Sequence, residues 1–313
     1  MVAFLARRIA LGAVVVLATA FFAYGGIRFL RPELYQGEPW WPGTWGDIRR
    51  SLLHLDPGEA CMYAGCPKLH RLWADGIQAD LWLLFGGIAL GLLVGVGLGR
   101  WCAAHPASLR RRGIEAVAML LYCAPVYFVG YLVLLLFDPT FGLLPVPLVF
   151  EPHTYQQPLT GPGDFARSLA VPWLIVSAPI AGACLRLTIA MTREAADEDY
   201  VRTAIAKGIA PATAVRRHAS PAANVSVASY VGSAVPAIVL NMVLVEFVFS
   251  VPGFLRHTMR AFGKAPGFPP GIDYATLQAV GVWAAVLIVV VTLLADVAVA
   301  ALDPRIRAAG RPG

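Results

Sequence analysis

Apolar residues gather in six runs of about twenty, near positions 9–30, 79–99, 114–137, 171–191, 224–249 and 276–301. At a rise of about 1.5 Å per residue, each run is long enough to cross about 30 Å of hydrocarbon as a helix. Lipid cannot satisfy exposed backbone groups, so each run is expected to be helical. The pattern predicts an all-α integral membrane protein with six transmembrane helices. Residues 1–78 would form an anchor helix and a large outer loop, and residues 79–313 a five-helix core. The loop at about 192–223 lies within that core.

Composition supports this reading. The 313 residues are 58% hydrophobic and only 14% charged, against about a quarter charged in soluble domains. The net charge of +6 does not imply nucleic acid, because the basic residues are segregated. Arg7 and Arg8 precede the first run. Arg100, Arg110, Arg111 and Arg112 follow the second, and Arg193, Arg202, Lys207, Arg216 and Arg217 follow the fourth. Arg305, Arg307 and Arg311 close the chain. With six spans all of these fall on one side, so the positive-inside rule places both termini in the cytoplasm. The first run continues past Ala18-Thr19-Ala20 to about Ile27, which fits a retained anchor better than a cleaved signal.

The segment 31–78 is rich in Pro, Gly and Trp, as in Pro39 to Trp45, and is expected to form a small cap with short helices. Its tryptophans suit the bilayer interface. Cys61 and Cys66, with four residues between them, either close a small disulfide in an oxidising compartment or remain two thiols. Cys102, Cys123 and Cys184 read as packing residues. The histidines show no ligand spacing, so no metal site is expected. Gly87, Gly91, Gly95 and Gly99 recur every four residues and mark a close helix–helix contact. Pro125, Pro179 and Pro236 each remove a helical hydrogen bond and can kink a span. Glu246, Asp296 and Arg186 are ionisable groups at membrane depth. They serve either a polar pathway or gate, or pairing between helices, with snorkelling a further option for Arg186.

The polar stretch 199–207 reads as a short amphipathic helix. Asp197, Glu198 and Asp199 complement the dipole at its start, and Lys207 at its end. Gly208 is placed as a left-handed cap and Pro211 for the first turn of a following helix. Tyr200, Val201, Ala204 and Ile205 share one side. Amphipathicity alone fits a helix lying on the membrane as well as one docking a partner.

The wider pattern is more specific. Gly208 is followed after nine residues by His218-Ala219-Ser220-Pro221. This resembles the cytoplasmic motif of permease subunits of binding-protein-dependent ABC importers: Glu-Ala-Ala, three residues, Gly, nine residues, Ile-x-Leu-Pro. Ala204, Gly208 and Pro221 match, while Arg202, His218 and Ser220 depart from it. Glu194-Ala195-Ala196 is out of register with Gly208. The run Tyr200 to Gly208 resembles the dipeptide/oligopeptide branch, as do Glu246 to Gly253 and the ending Leu302 to Arg307. Residues 264–272 look like an insertion.

The resemblance implies a type I ABC importer permease fold in a bacterial cytoplasmic (inner) membrane. It implies a second homologous permease forming a heterodimer, two ATP-binding subunits and an extracytoplasmic substrate-binding protein. ATP and Mg would be bound by the ATPase subunits, with no cofactor in this chain, which has no Gly-x4-Gly-Lys-Ser/Thr loop. The coupling helix would comprise Tyr200, Val201, Arg202, Thr203, Ala204 and Lys207, with Gly208 setting the turn and Pro221 ending the motif. Di- or oligopeptides are the expected cargo. An ion-coupled secondary transporter using Glu246 and Asp296 is the alternative mechanism, and nickel or another small solute the alternative cargo.

Overall fold

The computed structural model describes residues 2–35, 38–61, 66–137, 162–263 and 271–302. These residues are almost all helical, apart from an isolated bridge between Glu59 and Lys68. Most of the outer loop expected at about 138–170, with Gly142–Val146 in it, residues 264–270 of the expected insertion and the ending from Asp303 lie outside the described residues.

Long apolar helices are α1 (Val2–Leu30), α3 (Leu69–Ala104), α6 (Pro162–Ala196), α9 (Ala223–Val248) and α11 (Tyr274–Leu302). The expected third span is instead two helices, α4 (Leu109–Cys123) and α5 (Val126–Phe137), bent by 106°. Among the described residues there are therefore five single-helix candidate spans, and six with the bent pair counted as one. The break sits at Pro125. Its ring disfavours helical backbone in the preceding residue, and Ala124 is extended with φ −72° and ψ 133°.

Two helices begin earlier than hydropathy suggests. α3 starts at Leu69, where Leu69, Gly76 and Ala79 are buried while Arg71, Asp75 and Gln78 form an exposed face. α6 starts at Pro162, within the stretch read as loop; Phe165 and Leu169 are buried one turn apart there, while Asp164 pairs with Arg167 at 3.5 Å. Polar residues on one face hide both starts from an averaged hydropathy.

The chain divides into two compact units: Met1–Leu81 with Met242–Leu293, and Trp82–Asn241 with Leu294–Gly313. Residues 242–293 group with the N-terminal segment. In that first unit α2 (Trp40–Leu53) packs on α1, and Ala20, Tyr24, Ile48 and Val282 form a buried cluster. Buried Arg28 fastens the connection: its Nε lies 2.8 Å from Asp47, its Nη1 3.1 Å from Glu38, and its guanidinium 4.1 Å over the Tyr35 ring. Cys61 and Cys66 form a disulfide.

The second unit is built around α6. The glycines of α3 meet it at every turn. A Cβ on Gly91 would fall 2.8 Å from Ile180, on Gly95 2.6 Å from the Ala181 carbonyl, and on Gly99 2.7 Å from Thr188. The Trp173 indole donates to the Trp82 carbonyl at 2.8 Å. The opposite side of α6 meets α4, where a Cβ on Gly182 would lie 2.6 Å from the Ala118 carbonyl. Cys102 and Cys184 are buried and Cys123 exposed.

Candidate functional site

Between α6 and α9 lies a short polar stretch with a defined local structure. Helix α7 (Asp199–Ala206) opens at Glu198, whose backbone is extended, and carries Asp199 in its first turn. It ends in a complete Schellman motif. The Ile209 amide donates to the Ala204 carbonyl at 3.2 Å and the Gly208 amide to the Ile205 carbonyl at 2.9 Å. Gly208 has φ +90°, the left-handed region that side chains resist. Ile209 then packs back on a buried cluster that includes Ala204, the apolar contact that accompanies such a cap.

α8 (Pro211–Ala214) begins with proline in its first turn. Its winding widens to a π turn over Val215–Ala219, tightens over Ser220–Ala222, and continues into α9. Pro221 explains the irregularity. It has no N–H for the preceding turn, and its ring clashes with the carbonyl four residues back. The Val215 carbonyl accepts the Ser220 amide, which closes the π turn, and the Ser220 hydroxyl at 3.3 Å. His218, within this turn, is half-buried.

Packing fixes which side of α7 faces out. Val201 and Ala204 are buried with Ala195 of α6, Ala214 of α8 and Ala219 of the π turn. The small residues let α7 sit close to both neighbours. Tyr200, at 50% exposure, and Ile205, at 37%, flank the buried pair, and Arg202, Thr203 and Lys207 are exposed. The apolar side therefore does two jobs: its centre anchors the helix and its edges stay open. Val201 and Ala204 belong to the anchor, so any direct contact from this helix falls to Tyr200, Arg202, Thr203, Ile205 and Lys207.

A second constellation was only half visible in the sequence. Glu246 of α9 is fully buried, and so is Asp80 of α3, which the pattern alone did not single out. Asp80 accepts from the Phe254 amide at 2.8 Å and from the Trp283 indole at 2.6 Å; Glu246 accepts from the Arg256 amide at 2.9 Å. Both carboxyl groups converge on Gly253, where a Cβ would collide with each. A Cβ on Gly76 would likewise fall 2.5 Å from the Phe254 amide nitrogen. The two acids thus clasp the turn after α9 through its own N–H groups. The readable signal for Asp80 was an acid at the very start of an apolar run, and for the turn a Pro252-Gly253 pair.

The remaining ionisable groups sit differently. Arg186 is exposed, with Nη1 3.4 Å from the Met119 sulfur. Asp296 is half-buried on α11. His257, in α10 (His257–Ala261) outside the spans, is buried beside Arg256 and Arg260. Burial first, then those two cations, pushes its pKa down to about 3.

Against known proteins, residues 95–308 match the family model described as the binding-protein-dependent transport system inner membrane component. A probable peptide ABC transporter permease of Sinorhizobium fredii is 29% identical over 248 residues, 79% of this chain and 75% of that protein. A di/tripeptide transport system permease of Pseudomonas aeruginosa is 29% identical over 239 residues, covering 72% and 68%. A putative peptide permease of Brucella ovis is 27% identical over 237 residues, covering 75% and 70%.

Proposed function

The chain belongs to the inner-membrane component family of binding-protein-dependent transport systems, and from that premise we propose that it is the permease subunit of an ATP-driven importer of di- or oligopeptides. The peptide assignment rests on the relatives, whose names specify peptide or di/tripeptide transport. In this reading a second permease completes the path, an extracytoplasmic binding protein delivers the cargo, and two ATPase subunits dock from the cytoplasm, where both termini also lie.

The observation that carries the reading is the mounting of α7. It is a capped helix whose inner side is packed on α6 and on the start of the helix leading into α9, and whose outer side is open. α6 runs for 35 residues, and the continuous helical segment Pro211–Val248 for 38. At about 1.5 Å per residue both exceed 50 Å, well beyond about 30 Å of hydrocarbon. A stiff element joined to two such rods transmits a rigid-body movement from docked subunits to the membrane helices. Tyr200, Ile205, Arg202, Thr203 and Lys207 form the docking face, and ATP hydrolysis belongs to the partners.

Gly208→Val tests the coupling role. Open space surrounds Gly208, so the substitution strains only the backbone. A side chain there costs about 1–2 kcal/mol, more when β-branched. The variant is expected to insert and assemble while uptake of a labelled dipeptide by proteoliposomes holding the whole transporter is lost. Wild-type uptake by this variant would overturn the coupling role, and absence of dipeptide uptake by the wild-type complex would overturn the cargo.

A further inference from the structure

Helix α2 presents its residues in two sectors. Thr44, Ile48 and Ser51 are buried, Ile48 in the cluster with Ala20 and Tyr24 of α1. Trp41 and Trp45, one turn apart, are 57% and 60% exposed. Leaving two indoles uncovered is costly in water, at roughly 25 cal/mol for each Å² of apolar surface.

The surface beside them is already accounted for. α1 is a candidate span, and Phe22, Phe29 and Leu30 are its exposed residues nearest the α2 end. Trp41 meets Phe21 edge-on at 5.9 Å, and Trp40 meets Phe29 at 6.3 Å. Trp40 and Trp41 therefore continue the exposed apolar surface of α1, and Trp45 follows one turn further along α2. The apolar length Leu5–Leu30 is 26 residues, about 39 Å, so its last turns rise past about 30 Å of hydrocarbon to headgroup level. That level favours tryptophan, whose ring is apolar and whose N–H can donate to ester or phosphate oxygens. Arg49, one turn after Trp45 and also exposed, brings a cation to the same height.

We propose that α2 is an interfacial helix, lying in the bilayer–water interface at the Leu30 end of α1, with Trp41 and Trp45 seated among phospholipid headgroups. The occupant of this surface is membrane lipid. The helix would fix the depth of α1 in the bilayer, and through Arg28 the position of the cap that follows it.

A nitroxide attached at Trp45→Cys, with Cys102, Cys123 and Cys184 replaced by alanine, tests this in the assembled transporter in phospholipid nanodiscs. Collisions with oxygen are expected to be of the same order as collisions with a water-soluble nickel chelate, a ratio between those found in water and in hydrocarbon. Dominant nickel collisions would place the residue in water, and suppression of both would place it under a protein; either overturns the proposal. Should that variant not assemble, Trp45→Phe in nanodiscs with lipids brominated near the headgroup gives the same decision. The proposal requires that quenching of tryptophan fluorescence by these lipids falls relative to wild type, and unchanged quenching overturns it.

Discussion

Asp80 shows how much a single buried carboxylate can organise. Its two oxygens hold the Phe254 amide and the Trp283 indole, donors contributed from 174 and 203 positions further along the chain. Asp80→Ala would leave the buried amide and the half-buried indole without this partner, at about 1–3 kcal/mol for the amide. Asp80→Asn keeps one acceptor and should cost distinctly less. Thermal unfolding in detergent, read as wild type above Asn above Ala, checks the order. Gly253→Ala should be as damaging as Asp80→Ala, because its methyl would enter both carboxyl groups. At His257 the sign of the pH effect follows from burial. The folded state keeps the imidazole neutral down to about pH 3, whereas an unfolded chain takes up the proton near 6.5. The unfolded state therefore binds more protons in that window. Stability should be full above about pH 6.5 and fall by up to about 1.4 kcal/mol per pH unit towards pH 3. Unfolding midpoints at pH 7.5 and 5 measure this, and His257→Gln should flatten the difference.

Among the helices, the α3–α6 contact is the most constrained. The glycine spacing announced a close approach but not the partner, since nothing in α3 names the helix that fills it. The structure supplies α6 and the distances, and they make a forecast. Gly95→Leu should prevent the two helices from meeting, because even its Cβ would sit 2.6 Å from a carbonyl oxygen. Gly95→Ala should cost about 1–3 kcal/mol by overpacking. Gly97, on the same helix with nothing within 4 Å of its Cβ, should accept alanine with little loss. Unfolding of the three variants in detergent separates them. Proline effects were less legible. Pro125, Pro179 and Pro236 look alike in sequence, yet only Pro125 breaks its span. α6 is buried along much of its length and α5 only at Val126 and Gly130, so packing holds the first through its proline and leaves the second free to turn. The α7 helix, by contrast, could be read directly, because acids, lysine, glycine and proline each mark a local event. Asp80 could not, since its partners are backbone groups far away in the chain.

For the whole transporter, the two sides of α7 make separable demands. The exposed side would decide whether an ATPase docks, and the buried side whether docking moves anything. Val201→Asp puts a charge into the cluster with Ala195, Ala214 and Ala219, which drives α7 off both neighbours while leaving Tyr200, Arg202 and Ile205 in sequence. Arg202→Glu leaves the cluster intact and reverses charge on the open side. In proteoliposomes holding the complete transporter, Val201→Asp should retain the ATPase subunits and hydrolyse ATP with little peptide uptake. Arg202→Glu should weaken retention of those subunits, so that hydrolysis and uptake fall together. Measuring both rates on the same vesicles distinguishes the cases. If the two variants kept the same ratio of uptake to hydrolysis as wild type, α7 would be a contact surface alone, and the mechanical link would have to run through another part of the chain.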